Sequence, residues 1–152
     1  MSSIQDVVCG VMMETTGDEN RILMGMRRDE NNVWEFPGGK KNTGETLEDC
    51  LRREWKEELN LDISIGRLIH NRIFNGFNCH FFIGHICNLS TMRMIVHDQV
   101  GLFSLAAART LKIFEGDDVV LDAIQLEDIS ANLLSSTKVQ SIRHRHESNT
   151  CI

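Results

Sequence analysis

The chain has 152 residues, of which 41% are hydrophobic and 25% are charged, and its formal net charge at pH 7 is -6. This composition is typical of one soluble globular domain, and no apolar run approaches the roughly 18 to 20 residues of a membrane-spanning helix. The negative charge argues against general affinity for a nucleic-acid backbone, which needs clustered lysine and arginine. The five cysteines form no CxxC pair, which favours a reducing compartment. We therefore expect a cytoplasmic domain without membrane or nucleic-acid partners.

The first third of the chain predicts a hairpin followed by a glycine turn. Residues 6–13 and 21–26 are apolar and rich in strand formers, and the polar residues 15–20 between them contain a glycine; the two runs should therefore pair as a hairpin. No basic leader precedes the first run, so it is interpreted as a strand and not as a signal peptide. A short strand at 34–36 should end at the Pro-Gly-Gly of residues 37–39, where glycines let the backbone turn and a ligand come close.

The remainder of the chain predicts helices interleaved with strands. Thr43 or Thr46 can begin a helix that runs to about Leu59. Further elements follow in this order: strands at 63–74 and 79–87 joined by a turn at 75–78, a strand at 100–103, a short helix at 104–110, and a helix from Asp117. This alternation predicts an α/β sandwich with a mixed sheet. We expect one domain over residues 1–130 and a loosely ordered polar tail over residues 131–152.

The first helix carries three closely spaced carboxylates. Glu54, Glu57 and Glu58 stand at positions i, i+3 and i+4, which a helix brings to within about 5 to 6 Å of one another. Like charges at this spacing destabilise a helix by a few tenths of a kcal/mol per pair, so their presence indicates a neutralising cation. A hard divalent ion with oxygen ligands fits best, and Mg²⁺ is the default.

A solvated acidic face is the alternative, and the helical wheel argues against it. Glu54 and Glu58 continue the apolar stripe that includes Leu51. Arg53 and Lys56 fall on the outer arc of the wheel, which is predicted to be the solvated side of the helix. The glutamates are therefore expected to face the body of the protein or a cleft.

The spacing of this segment matches a known pattern at a set of positions: Gly39, Glu45, Arg53, Glu54, Glu57, Glu58 and Leu61. This spacing resembles the signature box of the Nudix hydrolases. One position departs, because Asn60 stands where the family has glycine; asparagine is the next residue able to adopt a left-handed backbone at a helix end. The resemblance implies a Nudix-type α/β/α sandwich with a mixed central sheet, and hydrolysis of a nucleoside diphosphate linkage.

The resemblance also implies roles for the box residues. It implies an Mg²⁺ site, with Mn²⁺ as a substitute, formed by the carbonyl of Gly39 and by Glu45, Glu54, Glu57 and Glu58. Arg53 would orient a catalytic glutamate through a charge-assisted pair. Glu54 is the first choice as general base, and Glu57 is also counted among the catalytic residues.

One part of the family pattern is missing. Many relatives carry a further glutamate in the loop that corresponds here to residues 95–101, and this loop contains none. Asp98 is the nearest acid and the nearest catalytic candidate there, and His97 is the nearest neutral base. Both are equally well interpreted as ordinary loop residues.

Substrate-binding candidates come from outside the box. The WEFPGGK of residues 34–40 resembles the LEFPGGK of MutT-like enzymes, which clear oxidised nucleoside triphosphates such as 8-oxo-dGTP. The candidates are Arg27, Arg28 and Lys40 for phosphate, Asp117 and Asp118 for the purine edge, and Phe77 for stacking on a base. Each has an ordinary alternative. The arginines are alternatively interpreted as charges that only solvate a strand end, the aspartates as caps of the following helix, which is the favoured interpretation, and the phenylalanine as a core residue.

We therefore expect a Nudix hydrolase that converts a nucleoside triphosphate to a nucleoside monophosphate and pyrophosphate. Alternatives are a diphosphatase for ADP-ribose, a sugar nucleotide or a dinucleotide, and a non-catalytic Nudix-fold nucleotide sensor. The family's ADP-ribose and dinucleotide markers, a proline beyond the box and a tyrosine, are missing, because the one proline is Pro37 and tyrosine does not occur. Many relatives are dimers, so a homodimer is compatible with the resemblance.

Overall fold

The computed structural model describes residues 4–16, 19–28 and 31–127. Its strands are β1 (Gln5–Thr16), β2 (Glu19–Met26), β3 (Trp34–Glu35), β4 (Gly38–Lys40), β5 (Ile63–Phe74), β6 (Phe77–Ile86) and β7 (Gln99–Phe103). Its helices are α1 (Leu47–Leu59), α2 (Leu105–Ala108) and α3, which is described over 118–127, with a 3₁₀ turn at Leu89–Thr91. The predicted tail at 131–152 lies outside the described residues. No helix in the described ranges is long and apolar enough to cross a membrane.

The strands form one mixed sheet. The main order is β3-β2-β1-β6-β5, with β4 added to β1 and β7 added to β2. β1 and β6 run parallel over nine residue pairs, and the other strand pairs are antiparallel. The predicted mixed sheet is thereby confirmed.

The hairpin of β1 and β2 opens toward one end. The two strands pair from Thr16 and Glu19 to Met13 and Ile22 and then separate. In the space between them β3 pairs with the end of β2, and β4 pairs with Val7–Cys9 of β1. This opening brings the Gly-Gly segment into the sheet and places the candidate site at its edge.

Two apolar clusters lie on opposite faces of the sheet. One contains buried residues of α1, namely Cys50, Leu51, Trp55 and Leu59, together with Val8 and Met12 of β1. The other contains Val120, Leu121 and Ile124 of α3 and Ala108 of α2, together with Val11 and Met13 of β1. Alternate residues of β1 thus face opposite helical layers, as the two-residue period of a strand requires. This is the predicted α/β/α sandwich.

Two predicted turns differ from the structure. The Gly-Gly segment was expected to end a strand, and it is itself the short strand β4. No local pattern indicates this strand, because its partner β1 lies far away in sequence. The turn between β5 and β6 is shorter than predicted: Asn75 and Gly76 both have positive φ, which is the geometry of a two-residue hairpin turn. β6 therefore begins at Phe77 and not at Cys79.

Helix α1 has the predicted limits. The side chain of Thr46 caps its first turn by accepting a hydrogen bond from the backbone N–H of Asp49 at 3.1 Å. Asn60 ends it with φ 54° and ψ 38°, the left-handed conformation that asparagine tolerates. The departure from the glycine of the family pattern therefore leaves the helix end intact.

Candidate active site

Gly38 and Gly39 bring α1 and the sheet into close contact. A Cβ added to Gly38 would overlap the carbonyl oxygen of Val8, and a Cβ added to Gly39 would overlap the carboxylate of Glu54. The absence of a side chain at Gly38 therefore lets β4 approach β1, and its absence at Gly39 lets α1 approach β4. The predicted proximity of Gly39 and Glu54 is present in the structure.

Arg53 lies at the centre of the acidic cluster. Its Nε and Nη2 donate to the two carboxylate oxygens of Glu45 at 2.7 and 2.9 Å, and its Nη1 donates to Glu54 at 3.0 Å and to Glu57 at 3.1 Å. The Arg53 hydrogen bonds are the main cause that lowers the pKa of Glu45 to about 2. The prediction that Arg53 lies on the solvated outer arc was wrong, because the side chain folds back along the helix to reach these three carboxylates.

Glu54 and Glu58 are held in an environment that disfavours negative charge. Burial raises the pKa of Glu54, and burial together with the nearby Glu54 raises the pKa of Glu58 to about 8. The backbone N–H of Gly38 donates to Glu58 and opposes this shift, while Oε2 of Glu58 is buried without a hydrogen-bond partner. A buried carboxylate oxygen without a partner beside a second carboxylate is a donor set that fits a hard cation.

Glu57 differs from its two neighbours. Its side chain is 59% exposed and is turned toward Arg53. Within the described ranges, no three histidine, cysteine, aspartate or glutamate side chains converge closely enough to hold a metal ion. Gly39 lies against the carboxylate of Glu54, and Gly38 bonds Glu58, whereas Glu57 is paired with Arg53.

A cavity of about 750 Å³ adjoins this cluster, and its size is within the range of small-molecule sites. Its wall includes Gly38, Gly39 and Lys40 of β4, and its floor includes Cys9 of β1 and Cys79 of β6. The floor residues belong to the sheet face that α3 covers, whereas α1 packs on the opposite face. The acidic helix and the cavity therefore meet at Gly39.

The three cations that the sequence offers as candidates for phosphate contacts all line the cavity. Arg27 donates through Nε to Glu35 at 2.5 Å, and its guanidinium lies 4.6 Å from the ring centre of Phe114. Arg28 pairs with Asp98 at 3.2 Å but is 59% exposed, and Lys40 lies 5.4 Å from the ring centre of Phe77. Arg28 and Lys40 are thus the cations with the least restrained charge, and Phe77 lines the cavity as predicted.

An ion pair lies in the lining of the cavity. Arg72 donates through Nη2 to Asp117 at 3.1 Å and to the backbone oxygen of Glu115 at 2.7 Å. Burial raises the pKa of Asp117 to about 7, and Arg72 opposes the shift. Asp117 lines the cavity, whereas the neighbouring Asp118 is exposed and does not. Of the two aspartates predicted to read a base, the structure brings Asp117 to the cavity.

His97, and not Asp98, reaches the cavity from the loop before β7. The imidazole is 2% exposed, its Nε2 lies 3.2 Å from Glu35, and a Cβ on Gly25 would come within 2.5 Å of the ring. Asp98 is 51% exposed and held by Arg28. The geometry does not bring Asp98 to the cavity wall, where it would have to lie to act on a ligand there.

Three cavity residues were missed by the sequence interpretation. Glu35 joins Arg27 to His97, Arg72 anchors Asp117, and Phe114 packs under Arg27. Glu35 had a local signal, since it is an acid two residues before Pro37. Arg72 and Phe114 had none, because their contacts join segments that are distant in sequence.

Comparison with known proteins identifies the family of the chain. The model of the NUDIX domain matches residues 5–100. A CTP pyrophosphohydrolase of Escherichia coli K12 is 32% identical over 73 residues, which are 45% of this chain and 54% of that protein. An RNA pyrophosphohydrolase of Campylobacter jejuni is 41% identical over 44 residues, which are 29% of this chain and 28% of that protein. The chain thus spans about half the length of the first relative, and less of the second.

Solved structures share the fold. The E. coli ORF135 protein is 25% identical with a TM-score of 0.68, covering 84% of this chain and 93% of its own. An Ap4A hydrolase of C. elegans is 16% identical with a TM-score of 0.69 (87% and 99% covered), and a MutT protein of Methanosarcina mazei Go1 is 17% identical with a TM-score of 0.65 (85% and 96% covered). The family model covers more than half of the chain and matches the segment that carries the acidic helix. The chain therefore belongs to the NUDIX domain family.

Proposed function

We propose that this chain hydrolyses a diphosphate linkage in a nucleotide with the help of a divalent metal ion. The substrate proposed is a nucleoside triphosphate, an oxidised one such as 8-oxo-dGTP included, and the products are a nucleoside monophosphate and pyrophosphate. The observation that carries the proposal is the position of Gly39, which packs against Glu54 on one side and lines a nucleotide-sized cavity on the other. Metal ligands and a bound polyphosphate would therefore meet at this residue.

The acidic cluster supports the catalytic part of the proposal. The carbonyl of Gly39 with Glu54 and Glu58 would hold the metal, joined by Glu57 once it leaves Arg53, and Glu45 would act through Arg53. When bound, the ion would neutralise charge on phosphate oxygens and lower the pKa of a bound water. Arg53 donates to Oε1 of Glu54 and would orient this carboxylate, which is also the group proposed to accept a proton from the attacking water.

The cavity supports the substrate part of the proposal. Arg28 and Lys40 line the same cavity as Gly39 and would contact phosphate oxygens through charge-assisted hydrogen bonds. Asp117 also lines this cavity and would accept from N–H groups of a base. Its partner Arg72 lies 4.9 Å from the ring centre of Phe74, which is a further lining residue. Candidate phosphate-binding and base-binding groups thus line one cavity.

Mg²⁺ is the metal we propose, with Mn²⁺ as a substitute, because carboxylate and carbonyl oxygens suit both ions. Cytoplasmic location, action without nucleic acid, and a homodimer stay predictions. The similarity to the RNA pyrophosphohydrolase makes triphosphorylated RNA a substrate to include in any test. The similarity to an Ap4A hydrolase structure concerns the fold alone.

A product assay tests the proposal. Ordinary and oxidised nucleoside triphosphates, ADP-ribose, sugar nucleotides, a dinucleoside polyphosphate and triphosphorylated RNA would each be incubated with Mg²⁺, and the phosphorus products separated. Glu58→Gln removes a proposed ligand, and Glu48→Gln is the matched control because Glu48 lies exposed on the same helix. Pyrophosphate from a nucleoside triphosphate, lost with Glu58→Gln and retained with Glu48→Gln, is the expected result. Nucleotide binding without any product would favour the sensor instead.

A further inference from the structure

Trp55 links α1 to the backbone that precedes the two glycines. Its indole is fully buried, and its Nε1 donates to the carbonyl oxygen of Pro37 at 2.8 Å. The same oxygen accepts from the backbone N–H of Gly10 at 2.9 Å. The carbonyl group of Pro37 is thus held by one donor from the helix and one from β1.

Gly10 provides the space for this contact. A Cβ at position 10 would lie 2.5 Å from Nε1 and 2.9 Å from Cε2 of Trp55. Gly10 is not among the residues with positive φ, so the need for glycine here is steric and not conformational. The missing side chain at Gly10 therefore leaves room for the indole of Trp55 to reach the carbonyl oxygen of Pro37.

The contact is one of three by which α1 holds backbone carbonyl groups within residues 37–40. The thiol of Cys50 lies 3.8 Å from the carbonyl oxygen of Gly39, and Nη2 of Arg53 donates to that of Lys40 at 3.1 Å. The thiol is a weak donor, and Arg53 is shared among several carboxylates. The buried indole bond of Trp55 is therefore the anchor best able to fix the strand against the helix.

We infer that Trp55 is a positioning residue that sets the distance between α1 and the Gly38–Gly39 backbone, and hence the affinity of the acidic cluster for a divalent ion. The inference rests on the metal-dependent function proposed above. The N–H of Gly38 bonds Glu58, and the carbonyl of Gly39 is a proposed ligand. Glycines have no side chain to anchor them, so the positions of Gly38 and Gly39 depend on the flanking residues, whose carbonyl groups are hydrogen-bonded to α1.

Binding of Mn²⁺ alone, without nucleotide, tests the inference. The free ion would be counted from its electron paramagnetic resonance signal in titrations of the full chain. Trp55→Phe keeps an aromatic ring and removes the N–H, so the Kd for Mn²⁺ should rise about tenfold, as when an outer partner of a metal ligand is removed. Gly10→Ala should act in the same direction because its methyl group displaces the indole. Phe82→Leu is the control, since Phe82 belongs to the same core cluster and does not line the cavity.

Hydrogen exchange of the wild-type chain gives a second test that needs no variant. Coupling between two sites is reciprocal: if the indole bond raises the metal affinity about tenfold, bound Mg²⁺ should slow the exchange of the Trp55 indole N–H that proceeds through local opening of this bond by about the same factor. The indole N–H of Trp34, the other tryptophan, serves as the internal reference. Equal slowing of both indole N–H groups would instead report global stabilisation.

The outcomes separate this inference from the proposed function. If the wild type binds no Mn²⁺, both fail. If the wild type binds Mn²⁺ and Trp55→Phe binds it equally well, or Mg²⁺ leaves the Trp55 exchange rate unchanged, the positioning role is overturned and metal-dependent hydrolysis stands. An equal loss with Phe82→Leu would show a general effect of core disruption and would also overturn it.

Discussion

Asp117 provides a test of whether burial or the neighbouring arginine dominates the pKa of a buried carboxyl group. Burial raises the pKa of this carboxyl group from 3.8 to about 7, although Arg72 lies 3.1 Å away and acts in the other direction. A folded-state pKa above the unfolded value means that the folded chain binds the proton more tightly. Stability from this group is therefore present at low pH and is lost as the pH rises toward and through 7.

The magnitude follows from linkage. Between pH 5 and pH 8, a group with these two pKa values lowers the free energy of unfolding by roughly 2 to 3 kcal/mol. Asp117→Asn has no such titration and keeps an oxygen that can accept from Arg72. The stability of the wild type relative to Asp117→Asn should therefore fall by this amount over that pH interval.

Urea unfolding of both proteins without metal, at several pH values from 5 to 8, measures the difference. Contributions from other titrating groups cancel because both proteins carry them. Asp118→Asn is the control, since that side chain is exposed and its replacement should leave the pH dependence nearly unchanged. A wild type that gains stability relative to Asp117→Asn as the pH rises would refute the reasoning, because it would mean that the ion pair outweighs burial.

Three further predictions concern single substitutions. Gly39→Ala would place a methyl group on the Glu54 carboxylate, so the Kd for Mn²⁺ should rise at least about tenfold; an unchanged titration would contradict the fit of α1 to the strand. Arg28→Ala or Lys40→Ala should raise KM for a triphosphate about tenfold, the equivalent of one modest charge-assisted bond, and steady-state kinetics in which only kcat falls would argue against phosphate contact. Asn60→Ala places alanine at φ 54° and should cost about 1 to 2 kcal/mol in urea unfolding, more than Asn60→Gly does.

Local signals explain why α1 was predicted well. A capping threonine, an apolar stripe and an asparagine at the end are all written within the helix or beside it. The same holds for the β1–β2 hairpin, whose strands are close in sequence. The side chain of Arg53 was misplaced because the helical wheel gives the direction of a Cβ and not the path of a long guanidinium side chain.

The cavity was harder to predict because its contacts join distant segments. Arg72 and Asp117 are 45 positions apart, and His97 and Glu35 are 62 apart. β4 was missed for the same reason, since Gly39 pairs with Val8 on another strand. Pairing and burial of this kind depend on the whole sheet and leave no periodicity in the local sequence.

The most direct test of the central claim compares turnover with binding for one preferred triphosphate. Single-turnover release of pyrophosphate with Mg²⁺ would be measured for the wild type and for Glu54→Gln, and the Kd for the nucleotide would be measured in parallel by equilibrium binding. Loss of the carboxylate that is both the proposed base and a proposed metal ligand should slow release by at least about a hundredfold. The Kd for the nucleotide should stay within about threefold, since the proposed phosphate and base contacts are kept. Undiminished release of pyrophosphate from Glu54→Gln would contradict the claim that the acidic residues of α1 beside Gly39 catalyse the hydrolysis.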